Sequence, residues 1–379
     1  MEVKFPIKYV TNFSKGVFRA ILFCMKKQAD ITYNSYLQLD RLLATQKPVS
    51  KAHDETMFII VHQAYELWFN LILFELDRVQ DIFDAKKIRD HDLRMVSASL
   101  NRIVTILRHI IGQMDIMETM TPLDFLDFRH VFRSASGFQS LQFRALEIRL
   151  GLRLSDRVGY DGKSFEAFLS KEDRASLQKL TKKLSLLDQV DQWLARTPFV
   201  SIGGYSFWNS YRNAVKSMID GDRQIVNKSK KMTPAAKAAE ARKLAAMQQQ
   251  FDALFGKQEG LNWRFSMDAL QAALFINLYR DEPVLQIPHK ILSDLMDIDE
   301  LLALWRHRHA LMAQRMLGTK MGSGGSSGHD YLAATATRHR IFGDLFSLST
   351  FLIPRSRLPK LPKTVTDKMG FRYWDKNAA

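Results

Sequence analysis

The chain has one cysteine, Cys24, in 379 residues. No intrachain disulfide can form, and a four-cysteine zinc site or a Cys-x-x-Cys-His haem attachment is excluded. A lone cysteine fits a reducing compartment and a cytoplasmic location. No uninterrupted apolar run reaches the roughly 20 residues that a membrane span needs. The Gly-x-x-x-x-Gly-Lys-Ser/Thr phosphate loop is missing, and so is the His-Glu-x-x-His pattern of zinc hydrolases. Apolar and polar residues do not alternate over any length that suggests a strand.

Acidic residues are also in short supply. Lys and Arg number 55 against 40 Asp and Glu, for a formal net charge of +15. The basic residues are dispersed, densest at Lys228–Lys231 and Arg355–Lys363, with no nucleic-acid fingerprint. Solubility and general attraction of anions explain the charge more simply, so neither nucleic acid nor membrane is expected as a partner. Val3 to Ala29 carries no acidic residue. Arg19 breaks its apolar stretch Val17–Met25, which suits a secretion signal poorly. An ordered arm lying on a neighbouring subunit is the expectation for residues 1–31.

What the chain does have is helical periodicity. Helices are expected over Tyr33–Gln46, His53–Ala85, His91–Met117, Pro122–Phe132, Gly137–Leu150, Met267–Asp281, His289–Leu317, Tyr331–Arg338 and Ile341–Leu352. Pro122 suits a first helical turn and Gly151 a stop. Residues 161–260 are richer in Lys, Gln and Ala and read as a helical insertion beside the core. Residues 32–355 then form one all-α domain, a bundle of long antiparallel helices, followed by a basic tail at 356–379.

Two histidines stand out. Ile298, Leu302, Trp305, His309, Met312 and Met316 recur at three- and four-residue steps and share one helix face. His309 therefore points where the apolar residues point, whereas His307 falls on a mixed face and is expected to be exposed. A buried imidazole needs partners for its nitrogens. A backbone carbonyl meets that need as well as an iron atom does, and spacing alone favours the carbonyl. His62 shares a face with Phe58, Tyr65, Glu66 and Phe69. With Glu66 it could hold zinc, but no third ligand follows. A ligand-contacting base or hydrogen-bond acceptor fits it better. Arg129, beside Phe128, offers a planar fork for a carboxylate, if it is not simply a surface arginine. Gly322–Gly328 reads as a linker when taken alone. Placed between two apolar helices, it can also close over a pocket and supply hydroxyl and backbone donors.

Longer words carry a resemblance. Phe58–Trp68 (FIIVHQAYELW), Glu118–Phe125, Phe128-Arg129, Ser136–Arg144 (SGFQSLQFR), Arg315–Gly318, Gly324–Gly328 (GGSSG) and Asp344–Pro354 are similar to the tryptophan 2,3-dioxygenase family over roughly residues 32–355. The resemblance implies an all-helical homotetramer around a non-covalent haem b. It implies insertion of both atoms of O2 across the indole C2–C3 bond of L-tryptophan, giving N-formylkynurenine. A mono-oxygenase acting on a tryptophan-like indole is the alternative within the same superfamily. By resemblance, His309 is the axial iron ligand, with Ser136, Trp305 and Gly324 also against the cofactor. His62 is the distal histidine facing the indole N–H. Phe58 and Phe125 line the indole pocket, and Arg129 holds the substrate carboxylate. Ser323, where the family usually has threonine, meets the substrate backbone. Tyr33 and Tyr36 match tyrosines that reach a neighbouring subunit's site.

Overall fold

The computed structural model describes residues 31–132, 137–159, 166, 169–256, 262–318 and 328–370. Two compact units emerge, Met1–Val49 and Ser50–Ala379. In the first, the expected helix over Tyr33–Gln46 is two short ones, α1 (Tyr33–Leu37) and α2 (Leu39–Leu43). Gln38 separates them in a left-handed conformation, φ 54°, which interrupts helical bonding.

The second unit is built on three long helices, α3 (Asp54–Phe83), α4 (Asp90–Gly112) and α13 (Gln286–Leu317). Between α4 and α13 the chain forms α5 (Met114–Met117), α6 (Pro122–Arg129), α7 (Leu141–Leu150), α8 (Lys171–Leu180), α9 (Leu186–Ala195), α10 (Phe207–Lys228), α11 (Pro234–Leu254) and α12 (Met267–Leu278). After it come α14 (Gly328–Arg338), α15 (Gly343–Ser347) and α16 (Lys363–Thr366). The all-α expectation holds. The exception is a two-residue antiparallel hairpin, β1 (Ser201–Ile202) with β2 (Tyr205–Ser206). Its turn is Gly203-Gly204, both at positive φ, a turn chemistry that matches strand twist and needs no alternating pattern to form.

α4 is the shelf of the bundle, packing against both α3 and α13. Its apolar residues Val96, Leu100, Ile103, Val104, Leu107 and Ile110 are buried at helix spacing. They meet Ile72, Leu76 and Val79 of α3 and Ile291, Leu295, Ile298 and Leu302 of α13 in one core. Each such side chain stabilises by about 1.5–3 kcal/mol when fully buried. The stretch read as a peripheral insertion joins the same core through Val190, Phe207, Tyr211 and Phe251. Val365 and Met369 of the C-terminal segment are fully buried in it as well.

Local chemistry fixes the short helices α6 and α7. Thr121 caps α6 by accepting from the Asp124 amide at 3.3 Å, while the Asp124 carboxylate accepts from the Thr121 amide at 3.2 Å. Pro122 occupies the first turn. Ser140 caps α7, and Gly151 ends it at φ 122°. A Cβ on Gly151 would lie 2.7 Å from Leu187 Cβ, so only glycine fits.

One buried polar hub ties these parts together. Glu147 of α7 accepts from Arg144 at 2.9 Å, Arg157 at 2.6 Å and Arg306 of α13 at 2.9 Å. His339, just past α14, lies 3.7 Å away and accepts from the Val158 amide through Nε2. Burial acts to raise the Glu147 pKa. The surrounding Arg157, Arg144, His339 and Arg306 outweigh it and hold the carboxyl well below its ordinary range. The sign of the linkage follows. The stabilisation is present above the unfolded carboxyl value and is lost as pH falls through the lower folded one. Glu147→Ala strands buried guanidinium groups and is expected to cost about 3–5 kcal/mol. A urea unfolding midpoint within error of wild type would contradict the hub.

Candidate active site

Three helices converge on a second, smaller apolar cluster. α3 brings Phe58, Val61 and Tyr65, α6 brings Phe125 and Phe128, and α13 brings Met312 and Met316; Met117, Met120 and Phe132 complete it. Phe58 is the hub of the rings, with centroids 6.0 Å from Phe125, 5.6 Å from Phe128 and 5.0 Å from Phe132. Offset and edge-on rings at such distances pack favourably, and together they form a flat-sided aromatic wall.

His62 stands one turn beyond Phe58, its ring centroid 4.0 Å from the Phe58 ring. Its Nδ1 lies 2.7 Å from the Phe58 carbonyl oxygen. A carbonyl only accepts, so Nδ1 carries the proton and Nε2 is left as an acceptor. Desolvation lowers the His62 pKa, opposed by the Phe58 carbonyl and by Glu66. The imidazole is therefore neutral at physiological pH, with a free lone pair.

His309 approaches from α13. Desolvation pushes its pKa down to about 4, with a further lowering by His62. That effect of His62 on His309 places the two imidazoles in the same neighbourhood. Both keep accessible surface, His62 exposed and His309 half-buried, although both are desolvated. Each imidazole is thus crowded by protein without being closed over. Trp305 packs on His309 with ring centroids 5.3 Å apart, and is itself held by Phe143 at 4.9 Å and by Tyr65 and Phe69, each at 6.3 Å. His307 is exposed.

Glu66 does not serve as a metal ligand with His62. Ser140 Oγ donates to its carboxylate at 2.6 Å and Gln142 Nε2 at 2.8 Å, and Gln142 also donates to the Glu66 carbonyl at 2.9 Å. Among the described residues no three His, Cys, Asp or Glu side chains gather as a metal site. Glu66 instead pins the start of α7 to α3, one turn from His62. The sequence reading missed this role, although Ser140 and Gln142 lie inside the word SGFQSLQFR. Phe132, Met117 and Met120 were likewise not singled out, because apolar residues at helix spacing signal core rather than pocket.

Phe58, His62 and Phe125 are in ring contact, Trp305 packs on both His309 and Tyr65 of α3, and Arg129 ends α6 half-buried, next in the chain to Phe128. Tyr33 and Tyr36 lie on α1 in the other unit, both largely exposed. Ser136, Ser323 and Gly324 lie outside the described residues.

The geometry is that of two neutral imidazoles beside a cluster of aromatic rings in an all-α bundle. The model of the family described as tryptophan 2,3-dioxygenase matches residues 24–352. A tryptophan 2,3-dioxygenase of Bdellovibrio bacteriovorus is 47% identical over 359 residues, covering 92% of this chain and 100% of the relative. Proteins of the same name from Anopheles gambiae and Dictyostelium discoideum are 42% and 40% identical, over 91% of this chain and 91% and 90% of their own lengths. The chain belongs to the tryptophan 2,3-dioxygenase family, which in general depends on haem.

The tautomer of His62 is directly measurable. Nitrogen-15 NMR of histidine-labelled protein is expected to show His62 neutral and protonated on Nδ1, titrating below the ordinary value of 6.5. An Nε2-protonated ring, or a titration above that value, would contradict the Phe58 contact.

Proposed function

We propose that this chain is a haem-dependent dioxygenase that inserts both atoms of O2 across the indole C2–C3 bond of L-tryptophan, giving N-formylkynurenine. The observation that supports this best is the pair of neutral, desolvated imidazoles on opposite helices of one aromatic cavity. The residues fit the cofactor. His309 Nδ1 is buried without a hydrogen-bond partner among the described residues, and a buried imidazole that lacks polar partners is one that would hold a haem iron. A haem iron needs only one such protein ligand. No observation favours the mono-oxygenase alternative.

When bound, non-covalent haem b supplies the activation of O2 that no amino-acid side chain provides. The chain's own residues do the rest. His309 holds the group from α13, and Trp305, braced by Phe143, keeps the imidazole from turning. His62 accepts the indole N–H through Nε2 and so sets the orientation of the ring. Phe58 and Phe125 offer their faces to the indole and keep water out. Arg129 closes on the substrate carboxylate with its planar fork. Ser136 and Gly324 are assigned to the cofactor edge and Ser323 to the substrate backbone, by family position. Orientation of this kind contributes as much as about 7–11 kcal/mol in favourable cases.

The same reading assigns a homotetramer, with Tyr33 and Tyr36 reaching a neighbouring site, and a cytoplasmic location. The lone cysteine supports the latter. One described helix, α3, is long and apolar enough to cross a membrane by composition, but it also supplies core residues and His62.

Haem titration tests the cofactor assignment. His309→Ala is expected to abolish stable haem binding, while His307→Ala leaves it intact. A normal Soret band in His309→Ala overturns the ligand assignment. The substrate assignment rests on Arg129. Arg129→Lys is expected to weaken L-tryptophan binding by about 2–5 kcal/mol while haem occupancy is unchanged. Equal wild-type turnover of tryptamine, which lacks the carboxylate, would remove Arg129 from the clamp.

A further inference from the structure

Among the described residues, Tyr65 alone packs against both the main core and the smaller ring cluster of the site. It is also the one ring around Trp305 with a polar anchor. Phe69 and Phe143 meet Trp305 by packing, with centroids 6.3 Å and 4.9 Å away. Tyr65 meets it edge-on at 6.3 Å, with 74° between the planes, and lies stacked on Phe69 at 6.2 Å. The Tyr65 hydroxyl donates to the Ile110 carbonyl of α4 at 3.0 Å. Ile110 stands in the last turn of α4, where a carbonyl has no amide of its own helix to accept from. The bond satisfies that carbonyl and fixes the phenol at both ends, its backbone on α3 and its oxygen on α4.

The same oxygen faces a second group. Its hydrogen is engaged by Ile110, so a lone pair is left for an N–H. Burial pushes the Tyr65 pKa up to about 12, and the Trp305 indole N–H beside the phenol opposes the rise. The hydroxyl therefore keeps its hydrogen, and its hold on Ile110, at neutral pH. The indole nitrogen is buried and forms no hydrogen bond of its own among the described residues. The phenol is thus the polar group that orients it. Trp305 in turn packs on His309, with ring centroids 5.3 Å apart.

We propose that Tyr65 is a positioning residue: anchored on the Ile110 carbonyl, it sets the plane of the Trp305 indole and, through that indole, the plane of the His309 imidazole. The inference rests on His309 as the haem ligand in the functional reading above. Groups set behind a ligating imidazole fix its orientation and tune the metal it holds. The place of Tyr65 on α3 adds a consequence. His62 lies three residues earlier, on the same side of the helix. One anchored ring thereby ties the imidazole assigned to the substrate and the imidazole assigned to iron to a single point on α4.

The test uses the haem-loaded full chain in its ferrous form and reads the iron–histidine stretching band by resonance Raman. Tyr65→Phe keeps the ring and removes the hydroxyl. It is expected to displace or broaden the band at wild-type haem occupancy, and to lower kcat for L-tryptophan severalfold with KM unchanged. A band at the wild-type position overturns the proposal. A raised KM with an unmoved band overturns it too, and makes Tyr65 a substrate contact. The path is tested by combining substitutions. In a Trp305→Phe background, Tyr65→Phe should displace the band no further than Trp305→Phe does alone. Shifts that add would show a route that bypasses the indole and overturn the relay. His309→Ala keeps the two failures apart. Loss of the band there, with no change in Tyr65→Phe, defeats the positioning role and leaves the ligand assignment standing. A band that survives in His309→Ala defeats the ligand assignment and the positioning role with it.

Discussion

The rings between α3, α6 and α13 fix where the two imidazoles sit. Close packing holds each ring against its neighbours, so none turns without losing dispersion contacts. Phe58, Phe125, Phe128 and Phe132 brace one another ring against ring, and Trp305 is held by Phe143, Tyr65 and Phe69. Desolvation by the surrounding protein lowers the pKa of both imidazoles and keeps them uncharged at neutral pH. Neutrality is the functional outcome. It leaves each imidazole with a lone pair to offer, as the proposed roles of His62 and His309 require.

The cavity also depends on polar ties set behind it. The Glu147 carboxylate joins α7, α13, the 151–159 segment and the end of α14 through Arg144, Arg306, Arg157 and His339. Asp299, buried on α13, accepts from the Ile341 amide at 2.8 Å and pairs with Arg340 at 3.0 Å, binding the same helix to the same turn. Glu66 performs the equivalent task for α3 through Ser140 and Gln142. The helices that carry His62 and His309 are thus each anchored by a buried or half-buried carboxylate about one turn or more from the imidazole. Buried ionic groups of this kind favour one arrangement of helices over near alternatives, since any shift strands a charge.

Much of this was legible in the sequence. Periodicity located α3, α4 and α13 to within a few residues, and the shared face of Trp305, His309 and Met312 pointed His309 inward without reference to any relative. The breaks were less legible. Gln38 and Gln113 carry no strong stop signal, so a single helix was expected where α1 and α2, or α4 and α5, are separate. The hairpin at Ser201–Ser206 is too short for an alternating pattern. Residues 161–260 looked peripheral because their composition is polar, yet a few large side chains, Phe207, Tyr211 and Phe251, suffice to seat them in the core. The Glu147 hub was invisible for a different reason. Its members are dispersed from Arg144 to His339, and no local spacing brings such partners together.

The central claim is that the histidine-lined cavity directs both atoms of dioxygen into the indole ring. Turnover of L-tryptophan by the ferrous, haem-loaded enzyme under 18O2, followed by mass spectrometry of the product, tests it directly. The account predicts N-formylkynurenine carrying two labelled oxygen atoms. A product with one labelled atom, or an indole ring left closed, would contradict it.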